Sequence, residues 1–509
     1  MDTGATRKHQ SEILLIALSL ACAFAILAFA GVMGLHAPRP VAFVSAALVA
    51  GLVAWLFWRH PVVPLNEDAP SRGLYVISLL ATVFALFQLA RLCVFIINPA
   101  AVGFAASPSR GLGLPLSHSC VSAYFVAAQS ARSAPNVYDP ELYSLPSTSP
   151  DGMRKPQFIG PFTIDVYEYP PTFLLLPRAL RLLSPDFFHF RMIWFAFNGT
   201  VLLIGLLAVA RVMGPVIGRR ALLLSPLVLS SGHTIGTLQV GNLQAIIFAL
   251  AMLAMILFDQ RRYAAGGALL AFATVSKLFP GLLLVYLLVR RKWSALAWTA
   301  GMTVVLVGLS LLDAGLTPYH SFLHHLPKLL GGESFPAFRN PNAVALNFSV
   351  PGMAFKLHLF GVPGASFAAM RIVGWVYTPI VLAITVMVAR RPLNLVEQPI
   401  AWLGILIVAS LRSPFLPGYA VIPVLWLLAL LAAVVAPTLR TLCLALAAWL
   451  ILNISIPLSG QDPRLSSIIL LLPQTVMVVL LVLALRNRAE PSGPPALDEE
   501  RREFAEHPV

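Results

Sequence analysis

The sequence predicts an all-α, polytopic membrane protein. Apolar runs near the length of a membrane span recur along the 509-residue chain, which is 58% hydrophobic and only 11% charged. Soluble domains carry about 25% charged residues, and about 20 apolar residues suffice to cross a bilayer as a helix. Backbone in lipid must satisfy its own hydrogen bonds, which favours helices. We expect a bundle of roughly 11–14 transmembrane helices with two long extracytoplasmic loops.

The positive charge of the chain lies in short loops between apolar runs. The formal net charge is +14, carried in part by four basic clusters: Arg219–Arg220, Arg261–Arg262, Arg290–Lys292 and Arg390–Arg391. This placement is typical of cytoplasmic anchors rather than of a nucleic-acid surface. The short Ala-, Leu- and Arg-rich loops favour a bacterial inner (plasma) membrane, with an internal eukaryotic membrane as the alternative. The four cysteines show neither metal-ligand spacing nor a disulfide framework.

The first three helices set the expected topology. They are predicted over residues 12–35, 41–58 and 74–97. The first apolar run follows Arg7 and Lys8 and exceeds the ~7–15 residues of a signal-peptide core, so it is interpreted as a retained helix. Loop 59–73 returns to the cytoplasm, which places region 98–170 outside. The predicted parts are therefore a two-helix hairpin (1–73), a main transmembrane domain (74–485) and a disordered cytoplasmic tail (486–509).

The remaining helices are more varied in length. They are predicted over 171–184, 192–213, 221–234, 239–259, 263–278, 280–290, 294–313, 366–389, 399–411, 418–436, 438–456 and 466–485, and the last five alternate across the bilayer. Segment 171–184 is short for a span, so the sequence leaves open whether it is a re-entrant or tilted half-helix or whether one basic cluster lies outside. Segments 263–278 and 280–290 have basic flanks, and Lys277 and Pro280 lie at the break between them. This predicts a broken hairpin that enters from the cytoplasm and returns, ahead of a second outer loop at about 314–365.

The longest polar interval of the chain, Ser117–Pro171, is expected to form the catalytic face. It collects tyrosines, prolines and five carboxylates: Asp139, Glu141, Asp151, Asp165 and Glu168. A short helix over 119–131 is expected at the membrane interface, with Tyr124 and Phe125 near headgroup level. Prolines and glycines after it indicate an ordered loop. Pro171 suits a first helical turn and would position Glu168.

Several side chains could carry chemistry. Asp165 and Glu168 could act as general bases at the membrane surface, or they could merely cap a helix or pair with nearby basic residues. Lys277 is costly in an apolar segment unless it faces a polar cavity, where it could hold a phosphate; snorkelling to the interface is the alternative, and Arg412 follows the same reasoning. His320 and His324 could share a helical face, but no nearby carboxylate completes a metal set, so no metal site is predicted.

Five stretches together resemble a known family. They are AYFVAAQSARSAPNVYDPELY (123–143), YEYPPTFLLLP (167–177), LQVGNLQAI (238–246), SKLFPGLLLVYLLVRRKW (276–293) and LNFSVPGMAFKLHLFG (346–361). Each is weakly specific alone. Their order and spacing resemble glycosyltransferase family 87, the polyprenyl-phosphate-sugar-dependent enzymes of the GT-C class. The resemblance covers about 74–420, and the first two helices look like an addition before it.

The resemblance implies an inverting hexosyltransferase, often a mannosyltransferase, that acts on the outer membrane face. The donor would be a polyprenyl-phosphate sugar, the acceptor a lipid-linked or cell-envelope glycan, and no cofactor is expected. A carboxylate would remove the proton of the acceptor hydroxyl, while Lys277 and Arg412 stabilise the departing phosphate. Tyr124, Tyr169, Asn242, Arg339 and Asn342 are assigned with them to substrate binding.

One departure from the family pattern concerns the base. The family places an aspartate a few residues before the tyrosine-rich stretch, where this chain reads SHSCVS (117–122). Either Asp165 or Glu168 reaches the same place from the other end of the loop, or His118 takes the role, or the chain is a non-catalytic lipid-binding member of the fold. A transporter or flippase is a further alternative because broken helices also occur in transporters, although no internal repeat is visible.

Overall fold

A computed structural model of the chain describes residues 3–59, 72–106, 116–146, 154–454 and 462–486, and the all-α polytopic class is confirmed. Among these residues, seven helices are long and apolar enough to cross a membrane, or eight if one bent pair forms a single span. Six further apolar helices have 10–17 residues. The count of 11–14 spans requires several of these shorter helices, and it stays a prediction.

The described chain is built from helices and a few very short strands. The helices are α1 (Thr3–Gly34), α2 (Arg39–Arg59), α3 (Arg72–Ile97), α4 (Cys120–Ser130), α5 (Leu175–Leu183), α6 (Phe187–Val212), α7 (Pro215–Leu229), α8 (Gly232–Val240), α9 (Gln244–Asp259), α10 (Tyr263–Ser276), α11 (Leu282–Val289), α12 (Trp293–Ala314), α13 (Thr317–Gly331), α14 (Pro341–Ala345), α15 (Val350–Lys356), α16 (Phe367–Arg390), α17 (Glu397–Ser410), α18 (Val421–Val434), α19 (Leu439–Leu452), α20 (Pro463–Ile469) and α21 (Leu471–Leu485). The strands are β1 (His118–Ser119), β2 (Ser144–Leu145), β3 (Lys155–Pro156), β4 (Phe158–Ile159) and β5 (Phe162–Ile164).

Two small sheets lie in the polar interval Ser117–Pro171, which we call the first polar region. β1 pairs in parallel with β5, which pairs antiparallel with β4, and β2 pairs antiparallel with β3. The expected helix after β1 is present as α4, but its predicted place at the membrane interface is wrong. Tyr124 and Phe125 are buried and pack on aromatic rings of α6 and of the segment before α5. Because a larger aromatic core encloses α4, it belongs to the protein interior.

The structure resolves the number of crossings before the first basic pair. Arg191, at the start of α6, donates hydrogen bonds to the carbonyls of Phe95 and Ile96, at the end of α3. Helix α6 therefore begins on the membrane face where α3 ends. Helix α5 stays on that face, since Arg178 donates to the Ala128 carbonyl in α4. Segment 171–184 does not cross, and α6 makes the single crossing.

The basic clusters gather on the opposite face. Arg220 donates to carbonyls at the end of α18, and Arg290 donates to the carbonyl of Arg391. Arg391 in turn donates to the carbonyl of Leu485, at the end of α21. The last turns of four helices and the basic loops thus meet on the face away from the polar region, as the charge pattern predicted.

Several helices break where they approach the polar region. The predicted segments 221–234 and 239–259 are divided differently, into α7, α8 and α9, with a bend of 64° between α7 and α8. Ser231 caps α8 by accepting a bond from the amide of His233, and Gly241 ends α8 in the left-handed conformation. The break between α10 and α11 falls at Lys277, as expected for a broken hairpin. The helix ends at Gly241 and Lys277 therefore place backbone polar groups next to the first polar region, on its membrane side.

The predicted second outer loop, at about 314–365, is largely helical. It contains α13, α14 and α15, and its Phe338 and Val344 form a small apolar core with Met370 of α16 and with Phe415. The N-terminal hairpin packs on the rest through α1, whose Leu27 contacts Gly199 of α6. The boundaries of the predicted parts stay predictions, since loop 59–73 lies mostly, and tail 486–509 almost wholly, outside the described residues.

We expect Arg191→Met to destabilise the protein. Arg191 is buried between the rings of Phe95 and Phe162, 4.9 and 4.4 Å from their centres. The apolar replacement leaves two buried carbonyls without their donor, at a cost of about 1–3 kcal/mol. The free energy of unfolding in detergent measures this. Arg211→Met, at the exposed end of the same helix, is the matched control, and equal stability of the two variants would contradict the expectation.

Candidate functional site

A cavity of about 810 Å³ opens between the first polar region and α13. Its wall combines aromatic rings with both signs of charge. The lining residues include Tyr138, Tyr143, Arg154, Asp165, Glu168, His320, His324, His325, Lys328, Glu333 and Arg339. Ligand pockets are commonly about 300–1,000 Å³, with a few convergent polar groups on a largely apolar wall. Two of the three predicted catalytic residues, Asp165 and Glu168, therefore face one ligand-sized space.

Glu168 is held by a histidine from α13. Its Oε2 lies 2.7 Å from Nε2 of His325, and the side chains of Glu168 and His325 are only 10% and 13% exposed. Tyr138 stacks on the His325 ring with 4.9 Å between centres, and its hydroxyl donates to the carbonyl of Tyr169. Glu168 Oε1 is buried and has no hydrogen-bond partner among the described residues. One carboxylate oxygen is thus anchored by His325, whereas the other has no protein partner among the described residues.

The other two predicted catalytic residues meet at a cysteine. His118 Nε2 lies 3.7 Å from Asp165 Oδ2 and 3.5 Å from the sulfur of Cys120. Burial, and then the nearby Asp165 carboxylate, raise the pKa of the Cys120 thiol to about 12. Nitrogen, sulfur and oxygen donors all within 4.8 Å of one another could hold a metal ion. We name these three residues the His–Cys–Asp cluster.

Backbone pairing places this cluster. The register of β1 with β5 sets His118 opposite Thr163, two residues before Asp165. Ser122 donates to the Ser119 carbonyl at 2.6 Å and accepts the amide hydrogen of Asp165 at 2.9 Å. The two ends of the polar region are therefore joined by backbone hydrogen bonds, and the cluster is held before any ligand binds.

The predicted binding residues Tyr124, Tyr169, Asn242 and Lys277 lie together beneath the cluster. Tyr124 is completely buried and donates to the hydroxyl of Tyr169 at 2.9 Å, and burial raises the pKa values of both tyrosines. Asn242 lies 3.5 Å from both the Tyr169 hydroxyl and the sulfur of Cys120. The hydrogen bond from Tyr124 thus holds the Tyr169 hydroxyl in place, and Asn242 connects the two tyrosines to the His–Cys–Asp cluster.

Lys277 reaches the same group from the break between α10 and α11. Its ammonium donates to the Gln244 side chain at 2.7 Å and lies 5.5 and 5.6 Å from the ring centres of Tyr169 and Tyr419. Among the described residues, no carboxylate forms an ion pair with Lys277. A half-buried cation with only neutral partners is available to an anionic ligand.

Sequence comparison supplies the family. Residues 167–416 match the family model of glycosyltransferase family 87. The chain belongs to glycosyltransferase family 87. No curated protein and no solved structure matches the chain. With its membrane-spanning helices, this family 87 protein is a membrane glycosyltransferase, which uses a sugar donor and a glycan acceptor.

The family 87 match divides the site. It includes Glu168, Tyr169, Asn242, Lys277, Arg339, Asn342 and Arg412 but begins after His118, Tyr124 and Asp165. The structure nevertheless places His118 and Asp165 against Asn242 and Lys277 through Cys120 and Tyr169. The polar region before the match is therefore spatially part of the site.

The remaining predicted residues of the family 87 site are more peripheral. Arg339 is exposed and lines the cavity. Asn342 lies in α14 next to the lining residue Asn340, whose side chain accepts from its amide. Arg412 donates to Thr378 of α16 at 2.8 Å and is not among the cavity-lining residues. The structure thus brings Arg339 to the cavity but leaves Arg412 bound to a neighbouring helix.

The sequence analysis assigns no role to His325 or Cys120, two residues that the structure places in the candidate site. His320 and His324 share a face of α13, with 4.7 Å between ring centres, and both are exposed. The adjacent His325 is mostly buried. It could have been found from the polar-to-apolar boundary of α13, and Cys120 from its spacing to His118.

We expect Gly241→Ala to damage the site more than Gly361→Ala. Both glycines lie in the left-handed helical region, at φ 71° and ψ 30° for Gly241 and at φ 72° and ψ 18° for Gly361, so both variants carry a similar backbone penalty. A Cβ on Gly241 would clash with Val121 of α4, whereas one on Gly361 meets nothing within 4 Å. The extra cost is about 1–3 kcal/mol, measurable as a difference in the free energy of unfolding. Equal values would show that the contact between Gly241 and α4 relaxes freely.

Proposed function

We propose that this family 87 transferase moves a hexosyl unit, with mannosyl as the specific case, from a polyprenyl-phosphate sugar to a lipid-linked or cell-envelope glycan. The transfer inverts the anomeric centre and takes place on the extracytoplasmic face of a bacterial inner membrane, in a GT-C-like bundle. The observation that carries this proposal is Glu168. The residue lines a ligand-sized cavity, and its buried Oε1 has no hydrogen-bond partner in the part of the chain that the structure describes.

Glu168 is the general base in this proposal. A base must lie within hydrogen-bond reach of the proton that it removes. No hydrogen bond to a described residue has to break for Oε1 to accept the acceptor hydroxyl. His325 orients the carboxylate through Oε2 at 2.7 Å, and the stacked Tyr138 limits rotation of the imidazole. The acceptor oxygen then bonds to C1 of the sugar, and the bond from C1 to the phosphate oxygen breaks with its electrons.

Lys277 has the opposite task. The departing phosphate gains negative charge in the transition state, and a fixed cation in a low-dielectric site stabilises it. The Lys277 ammonium lies 5.5 Å from the ring centre of Tyr169, the residue that follows the proposed base, and its partners are neutral. In this proposal Tyr169 therefore connects the base to the cation, although Lys277 is not among the residues that line the cavity.

The charge distribution supports the proposed orientation. The basic loops lie on the face opposite to the cavity, and such loops remain in the cytoplasm. The cavity then opens outside. A lipid-borne donor suits that side, because soluble nucleotide sugars are made in the cytoplasm whereas a membrane lipid can be presented at either face.

We expect Glu168→Gln to lower transfer by about 10²–10⁴-fold, the contribution typical of a general base. The amide keeps the shape of the side chain but cannot accept the proton. The assay uses purified protein in lipid, radiolabelled polyprenyl-phosphate mannose and a membrane glycolipid extract. Glu141→Gln is the matched control, since Glu141 is exposed and does not line the cavity.

Transfer by Glu168→Gln at the control rate would remove Glu168 as the base. Donor binding without transfer by the wild-type protein would favour a non-catalytic lipid-binding role. A wild-type protein that shows neither binding nor transfer would contradict the proposed donor, and it would direct the next assay to transport.

We expect Lys277→Gln to lower kcat by about 10²-fold, because the transition state loses its cation. Donor binding should weaken less, since the ground-state phosphodiester carries less charge on the leaving oxygen. The same transfer assay, run over a range of donor concentrations, separates kcat from KM. Lys292→Gln, on the opposite face, is the control, and a change in KM alone would assign Lys277 to uniform donor binding instead.

A further inference from the structure

The proposed roles leave the His–Cys–Asp cluster unexplained. Cys120 is buried and takes no part in proton removal or phosphate binding. It is the first residue of α4, two positions after His118. Around it, a nitrogen, a sulfur and an oxygen converge although their residues come from both ends of the polar region. Such convergence of three different donor atoms calls for a ligand.

The distances suit a divalent metal ion. Zn²⁺ binds sulfur at about 2.3 Å and nitrogen or oxygen at about 2.0–2.2 Å, so two ligands at a tetrahedral angle lie about 3.3–3.6 Å apart. His118 Nε2 lies 3.5 Å from Cys120 Sγ and 3.7 Å from Asp165 Oδ2. Two of the three donor–donor distances therefore already match a tetrahedral site, and all three donor atoms lie within 4.8 Å of one another.

The surroundings of the three donors also suit a metal. The side-chain amide of Asn242 donates to the sulfur of Cys120, as expected for the outer partner of a metal-bound thiolate. The other oxygen of Asp165, Oδ1, accepts the amide hydrogen of Val166 at 3.0 Å, which directs Oδ2 into the cluster. Ser122 and the pairing of β1 with β5 hold the backbone of all three ligands.

We propose that His118, Cys120 and Asp165 bind one Zn²⁺-class divalent ion at the floor of the cavity. Imidazole and thiolate ligands together favour zinc and similar late first-row metals over Mg²⁺ or Ca²⁺. Three protein ligands leave a fourth position open, the arrangement of catalytic rather than structural sites. Asp165 lines the cavity, so that position is close to the ligand space.

The role of the ion rests on the proposed transferase function, although its binding does not. A hydroxyl oxygen bound at the open position becomes more acidic. The O–H bond of the acceptor then breaks with its proton passing to Glu168, and the same oxygen forms the bond to C1 while the phosphate leaves with the electron pair.

The test measures metal binding directly on the full-length protein in detergent. Chelator-treated protein is titrated with Co²⁺, and the thiolate-to-cobalt charge-transfer absorption is recorded. We expect about one ion per chain for wild type and for Cys93→Ser, a control that alters a buried cysteine of α3. Cys120→Ser should lose the charge-transfer band, and His118→Gln should bind at least about 10-fold more weakly.

Two results would overturn the site: no band in the wild-type protein, or a band that survives in Cys120→Ser. The transfer assay separates this failure from failure of the proposed function. Transfer that persists in chelator-treated protein, without metal binding, refutes the metal site and keeps the transferase. Co²⁺ binding through Cys120 without transfer supports the site and refutes the proposed reaction. Loss of transfer on chelation, with recovery on adding Zn²⁺, supports both.

Discussion

The parallel pairing of two short strands holds the rest of the site in place. His118 and Ser119 lie beside Phe162–Ile164, more than forty residues away in the chain. Ser122 closes this pairing by bonding to the backbone on both sides. A loop of that length loses much conformational entropy on closure, and the pairing with the aromatic packing around α4 offsets it. Every catalytic assignment in the first polar region depends on this closure.

The membrane imposes the second constraint. Backbone polar groups in lipid must be satisfied, and irregular segments survive at depth only where protein covers them. Helices α9 and α10 have 16 and 14 residues, about 24 and 21 Å at 1.5 Å per residue, which is short for a bilayer core of about 30 Å. Their ends at Asn242 and Lys277 are covered by the polar region. These two helices are short for a membrane span, which makes the number of spans hard to count. Their ends also provide the polar groups on which the site rests.

Ion pairs connect the end of α12, just before the predicted second outer loop, to the segments around α4 and α5. Asp313, at the end of α12, pairs with Arg132 after α4 and with Arg178 of α5. This contact fixes the start of α13, whose Tyr319 bonds to Thr172 at 2.9 Å and whose His325 holds Glu168. The cavity thus lies between the first polar region and α13. The ion pairs of Asp313 hold these two segments in place, and the orientation of Glu168 depends on both.

The amino-acid sequence alone predicts the membrane class, most helices and the family resemblance, because apolar run length and basic-loop placement are local properties of the chain. It also singled out Asp165, Glu168 and Lys277, since charged groups beside apolar segments are rare. The buried position of α4 and the single crossing before Arg219 were not available from it. Both depend on contacts between distant segments, such as that of Arg191 with the end of α3.

Contacts between distant segments determine how the candidate residues combine. The sequence left Asp165, Glu168 and His118 as alternatives for one role. The fold separates them, because strand pairing brings His118 to Asp165 and Cys120, whereas α13 brings His325 to Glu168. Strand register and the docking of an amphipathic helix are set by long-range packing. A local pattern of residue types does not encode such packing, so the division of roles appeared only in three dimensions.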